Sequence, residues 1–83
     1  MRIAAVIPAF NEEHNIAAVV KGVRPFVTAA VVIDDGSADD TAGAARAARA
    51  IVLRHASNAG KGAALKTGFK YLSDNGYEGA ITI

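Results

Sequence analysis

The chain has no cysteine, so neither a disulfide framework nor a thiolate metal site can form, and its two histidines are too few to replace one. It also lacks any block of like charge. The formal net charge is +1, and Lys21, Arg24, Arg46, Arg49, Arg54, Lys61, Lys66 and Lys70 are scattered. That balance gives no electrostatic case for a nucleic-acid partner or an anionic membrane. No apolar run approaches the ~20 residues that span a bilayer. The opening run, Ile3 to Ile7, stops at Pro8 and meets Glu12 and Glu13, which is too short for the apolar core of a signal peptide. The cytoplasm is therefore the expected compartment. No repeat, low-complexity tract or linker divides the chain, so residues 1–83 read as one domain.

What is present is a globular composition: 52% of residues are hydrophobic and 20% charged. A chain this short buries only about 60–65% of the surface its unfolded form exposes, so its stability is small. Ile3 to Ile7 is continuously apolar rather than alternating, the pattern of a strand covered on both faces, and Pro8 is expected to end it by removing a ladder donor. Asn11 is placed to cap a helix starting at Glu12-Glu13, with Ile16, Val19, Val20 and Val23 as its core stripe up to Gly22 and Pro25. Ala29 to Ile33 is a second strand. Ser37 with Asp40 resembles a capping box that opens an alanine-rich helix to about Arg49. Ile51 to Leu53 is a short third strand. A third helix follows Gly62, with Leu65, Gly68, Phe69 and Leu72 as its stripe and Asn75-Gly76 as its left-handed stop; Ala80 to Ile83 begins a fourth strand. The order β-α-β-α-β-α-β implies right-handed crossovers and a Rossmann-like parallel α/β sheet, with ligands expected outside the carboxyl ends of the strands.

Three polar clusters sit at those ends. Asp34 and Asp35 are adjacent on a strand end and so point to opposite sides; one carboxylate faces the cleft, where it accepts from a base N–H or a ribose hydroxyl. Read alone, Asp34-Asp35-Gly36-Ser37 serves equally as a turn and helix cap. Asn58-Ala59-Gly60-Lys61-Gly62 offers glycines, a lysine and a helix N-terminus to an anion, but it is not a Walker A loop: His55 stands where a glycine belongs and Gly62 where Ser or Thr belongs. Read alone, Lys61 is as easily a solvated loop lysine. Pro8-Ala9-Phe10-Asn11-Glu12-Glu13 is either a strand stop with a helix cap or a segment whose Ala9 and Phe10 backbone touches a base while Glu12 accepts from ribose. His14 and His55 read as a surface residue and a strand-end residue, and no Ser/His/Asp triad can be assembled.

In order and together, Val6-Ile7-Pro8-Ala9-Phe10-Asn11-Glu12-Glu13, Val32 to Thr41 with its Asp34-Asp35-Gly36-Ser37, and Asn58 to Ala64 closely resemble the inverting family 2 glycosyltransferases of the GT-A fold. Within that family the chain is most similar to the dolichyl- and polyprenyl-phosphate sugar transferases. The resemblance covers essentially the whole chain and implies the N-terminal, nucleotide-sugar-binding half of a GT-A domain. It implies a UDP- or GDP-sugar donor, with Pro8, Ala9, Phe10, Asn11 and Glu12 holding base and ribose, Asp35 and Gly36 at the base edge, and Lys61 at the base or diphosphate. It further implies Mg²⁺ or Mn²⁺ for the full-length enzyme, bound by an Asp-x-Asp that normally follows a strand like Ala80-Ile81-Thr82-Ile83, beyond the last residue here. The metal ligands and the general base are then not in this chain, and the 83 residues alone are expected to be inactive in transfer. A lipid or membrane acceptor, met at the cytoplasmic face, would be reached through other regions. The other readings are a non-catalytic nucleotide-binding or regulatory module, and a receiver-like signalling domain. Against the latter, the acidic pair follows the second strand, and Ile51-Val52-Leu53 leads to Arg54-His55 with no phosphoacceptor aspartate.

Overall fold

The structure, a computed structural model, describes all 83 residues. Four strands, β1 (Ile3–Ala9), β2 (Ala29–Asp34), β3 (Ile51–Arg54) and β4 (Gly79–Thr82), alternate with three helices, α1 (Ile16–Val23), α2 (Thr41–Ala47) and α3 (Lys61–Asp74); a single 3₁₀ turn, Arg24–Phe26, follows α1. The sheet is wholly parallel in the order β3-β2-β1-β4. The expected Rossmann-like α/β topology is thus the observed one.

The strand order explains where the helices lie. From β1 the chain steps to β2 and on to β3 in one direction, then returns across the sheet to β4 on the far side of β1. Right-handed crossovers that reverse direction must change faces. Accordingly α1 and α2 cover one face, where Ala5, Ile7, Ala9, Ala30 and Val32 meet Ile16, Val20, Ala45 and Ala48. On the other face α3 brings Ala64 and Leu72 onto Ala4, Val6, Val31 and Ile33. The central strands β1 and β2 thus have both faces buried, which is why they read as continuous apolar runs.

The α3 contact is close because of one glycine. Ala64, Gly68 and Leu72 lie on one line at i, i+4 and i+8, and a Cβ on Gly68 would come within 2.6 Å of Val6 Cγ1. That line leaves Phe69 at the rim, 44% exposed, and the Ile16–Val20 line of α1 likewise leaves Val19 38% exposed; neither joins the core stripe expected of it.

Pro8 does not end β1. It pairs with Ile33 inside a strand that continues to Ala9. Along β1 the backbone groups alternate sides: Ile3 and Ala9 accept from Thr28 and Asp35 on the β2 side, whereas Val6 accepts from Ile83 on the β4 side. The missing N–H of Pro8 therefore faces the β4 side, beyond the last pair of those two strands, Val6 with Thr82, and the β2 side of the ladder is undisturbed.

Candidate functional site

The point where the strand order reverses lies between β1 and β4, and a crevice opens there beyond the strand ends, as expected for an open parallel sheet. It encloses about 420 Å³ and is lined by Pro8, Ala9 and Phe10 from the end of β1, Asp35 from the end of β2, Asn58, Gly60, Lys61 and Ala64 at the start of α3, and Ile83. Three sequence clusters, far apart in the chain, thus supply one cleft. Of the eight residues expected there, Pro8, Ala9, Phe10, Asp35 and Lys61 line it, whereas Asn11, Glu12 and Gly36 do not.

Those three residues hold loops together. The backbone N–H groups of Asn11, Glu12 and Glu13 donate in turn to Ser37 Oγ (2.9 Å), Thr41 Oγ1 (2.9 Å) and Asp39 Oδ2 (3.2 Å). Asn11, in the left-handed region at φ 53°, returns the contact by accepting from the Ala38 N–H at 2.9 Å. Asn11 is therefore not a helix cap: α1 starts five residues later, at Ile16, after a turn in which the Asn15 and Ile16 amides donate to the Glu12 carbonyl. Ser37 is not one either. Asp40 caps α2 by accepting from the Gly43 N–H, and α2 stops at Ala47, short of Arg49. Asp39 also accepts from the Thr41 hydroxyl and amide, and these bonds, the hydroxyl's first, hold its carboxyl below the ordinary 3.8. Asp39 and Thr41 escaped the sequence reading because a short helix cap and a loop-to-loop clamp use the same residue types; a run of four oxygen-bearing side chains, Ser37, Asp39, Asp40 and Thr41, within five residues exceeds what one helix start can use.

Gly36 acts by its smallness. It adopts φ +75°, and a Cβ there would lie 2.5 Å from the Ser57 carbonyl carbon and 2.6 Å from the Asn58 nitrogen. The turn after β2 and the loop before α3 touch backbone to backbone at this point, which carries Asn58, Ala59 and Gly60 over Asp35.

The two aspartates separate as strand alternation requires. Asp34 is fully buried; its Oδ1 accepts from the Ser37 N–H at 3.0 Å. Arg54 Nε lies 3.1 Å from Asp34 Oδ2, yet that oxygen receives no aligned hydrogen bond, so the pair is an ion contact through a guanidinium that is itself about half exposed. Asp35 faces the cleft, with its Oδ1 accepting from the Ala59 N–H at 2.9 Å and lying 2.7 Å from His55 Nδ1, and its Oδ2 accepting from the Gly60 N–H at 2.8 Å. The His55 bond foremost, then the Ala59 amide, holds the Asp35 carboxyl below the ordinary 3.8, against the opposing effect of desolvation. An ionised carboxylate only accepts, so His55 Nδ1 carries the proton it donates. On its other edge, Nε2 lies 2.8 Å from Thr67 Oγ1 of α3. His55 is thus no plain strand-end residue, and its separation from Asp35 by twenty positions left no local signal in the sequence.

Chemically, the cleft combines an aromatic side chain (Phe10, 46% exposed), one anchored carboxylate and one free lysine at a helix start. The chain does not fit a resident metal: no three His, Asp or Glu side chains converge in a geometry able to hold one.

Residues 4–77 match the model of glycosyl transferase family 2. A curated relative, the uncharacterized protein MJ0544 of Methanocaldococcus jannaschii, is 43% identical over 86 residues, which cover 95% of this chain and 38% of that protein. Among solved structures, glucosyl-3-phosphoglycerate synthase from Mycobacterium tuberculosis in complex with Mn²⁺, UDP and glucosyl-3-phosphoglycerate superposes with a TM-score of 0.76 at 31% identity, over 98% of this chain and 33% of that one. The UDP complex of the same enzyme gives a TM-score of 0.77 at 31% identity. The chain therefore spans 38% of the curated relative's length and about a third of each solved neighbour's. With a family model covering most of its length and a GT-A sheet beneath it, the chain belongs to glycosyl transferase family 2.

Proposed function

We propose that residues 1–83 form the nucleotide-binding part of a glycosyltransferase that draws its sugar from a nucleoside-diphosphate donor. The observation that carries this reading is the convergence of Pro8-Ala9-Phe10, Asp35 and Lys61 on one cleft at the strand-order reversal. Phe10 and the end of β1 offer an apolar wall to a base. Asp35 accepts from a base N–H, and Lys61 supplies positive charge for the diphosphate where α3 begins. UDP is the favoured nucleotide, since the solved neighbours were captured with UDP or UDP-glucose, several of them with Mn²⁺ or Mg²⁺. Those neighbours act on a phosphoglycerate, so they lend nothing to the polyprenyl-phosphate acceptor suggested by the sequence motifs. Transfer itself is proposed to need groups beyond these residues, because the one carboxylate in the cleft, Asp35, is held by three donors and is not free to act as a base.

Calorimetric titration with UDP tests the reading. Saturable binding is expected, weakened at least tenfold in Asp35→Asn, where a charged acceptor is lost. Lys61→Ala should weaken binding further as salt is lowered, because the lost attraction is screened least there. Absence of saturable binding by the wild-type chain would overturn the proposal.

A further inference from the structure

A carboxylate has two oxygens with about four acceptor positions between them. In Asp35 three are taken by the chain itself: Oδ1 accepts from His55 Nδ1 and the Ala59 amide, and Oδ2 from the Gly60 amide. Oδ1 is thereby filled, and Oδ2 keeps one position. Two of the three donors are backbone amides fixed at the entrance to α3. The third, His55, is a side chain held in place only through Thr67 Oγ1 at 2.8 Å on its far nitrogen. The imidazole is largely enclosed, with 18% of its side chain exposed, so no water readily takes its place.

We propose that His55, oriented by Thr67, is a specificity-determining positioning residue: by filling Asp35 Oδ1 it leaves that carboxylate a single free acceptor position, which suits a base edge with one N–H and disfavours one that presents two in parallel. The inference rests on the reading that the cleft holds a nucleotide base. Uracil presents one ring N–H flanked by two carbonyl oxygens. Guanine presents a ring N–H beside an exocyclic amino group, a parallel pair of donors that would engage both oxygens of a free carboxylate. Against Asp35 as it stands, one of guanine's donors would be buried without a partner, and an unpaired buried donor is the stronger penalty. The chain is therefore selective for UDP over GDP, and the selectivity resides in two residues, His55 and Thr67, that line neither the apolar wall nor the lysine side of the cleft.

The experiment compares UDP and GDP, which share the diphosphate, so the ratio of their dissociation constants isolates the base. The 83-residue chain is titrated with each nucleotide as wild type, His55→Phe, Thr67→Val and Thr67→Ser, with the amide spectrum of each variant confirming its fold. The wild type is expected to favour UDP, and His55→Phe to shrink the UDP-to-GDP preference by about tenfold or more, the worth of one hydrogen bond to a charged group. Thr67→Val should move the ratio the same way, and Thr67→Ser, which keeps the hydroxyl, should restore it. A merely structural His55 would weaken both nucleotides alike, and an unchanged ratio overturns the inference while leaving nucleotide binding intact. No binding of either nucleotide by the wild type overturns both. If His55→Phe does not fold, the imidazole nitrogens of the wild type decide: the inference requires the proton on Nδ1, and a spectrum showing an unprotonated Nδ1 refutes it.

Discussion

Replacing Gly36 with alanine is the sharpest stability test of how the cleft is built. A residue with a Cβ at φ +75° pays about 1–2 kcal/mol for the left-handed backbone alone. The new methyl would also lie 2.5 Å from the Ser57 carbonyl carbon, 2.6 Å from the Asn58 nitrogen and 2.8 Å from Ser57 Cα. All three are backbone atoms, so no rotamer change relieves the overlap. Forcing the loop away costs roughly a further 1–3 kcal/mol, as overpacking does elsewhere. Reduced entropy of the unfolded chain returns about 0.4–1 kcal/mol. The net loss is about 1–5 kcal/mol, a sizeable part of the ~4–12 kcal/mol that a domain of this size commands at about 0.05–0.15 kcal/mol per residue. In urea, with a slope of about 1–2 kcal/mol/M, the midpoint should fall by at least about 0.5 M. Gly62→Ala is the matched control: nothing lies within 4 Å of its Cβ, and in the first turn of α3 it should stabilise by about 0.5–1 kcal/mol. If Gly36→Ala unfolds within about 0.5 kcal/mol of wild type, a surface substitution's scatter, the two loops do not meet as described.

Other perturbations follow from the same contacts. Gly68→Ala sets a methyl 2.6 Å from Val6 Cγ1 and 2.9 Å from Ile33 Cδ1. With the gain in helix propensity subtracted from the overpacking, thermal unfolding should report a net loss of up to about 2 kcal/mol, and a stabilised variant would contradict the close approach of α3. Thr41→Val removes the buried hydroxyl that accepts from the Glu12 N–H and donates to Asp39, and equilibrium unfolding should show a loss of roughly 1–3 kcal/mol, with the Glu12 N–H left unpaired and Asp39 keeping only its bonds from the Thr41 and Glu13 amides. Asp35 has its folded-state pKa depressed below 3.8, so the unfolded chain binds more protons in that range; its contribution to stability is complete above 3.8 and disappears as pH falls through the lower folded-state value. Acid titrations of stability should therefore show a shallower decline in Asp35→Asn than in wild type, and identical profiles would mean the carboxylate is not held as described.

Most of the architecture was legible because β1 and β2 are covered on both faces and so carry unbroken apolar runs. Given three crossovers of helical length, the parallel sheet and a cleft outside its carboxyl ends follow, whereas the strand order that places the cleft between β1 and β4 is seen only in the structure. The details that eluded the sequence all depend on partners distant in the chain. Asn11, Ser37 and Asp40 are each good helix caps by local chemistry, and only the meeting of the β1 and β2 loops assigns the cap to Asp40 and turns the other two toward each other. Pro8 looks like a strand terminator until its missing N–H is seen to face the unpaired side beyond β4. His55 gave no local sign of its role, because its two partners, Asp35 and Thr67, lie twenty residues before it and twelve after. Gly36 was expected at the base edge, but its place is beneath the cleft rather than in it, against the Ser57–Asn58 backbone.

The central claim, that the crevice at the strand-order reversal is a nucleotide site, is tested most directly by mapping backbone amide shifts while UDP is added to the isotopically labelled chain. Shifts should concentrate on Ala9, Phe10, Asp35, Gly60 and Lys61, the cleft and its rim, and leave Arg2, Asn75 and Tyr77 at the opposite end of the sheet unmoved. Saturation with no shift at the cleft, or shifts gathered at that opposite end, would contradict the account.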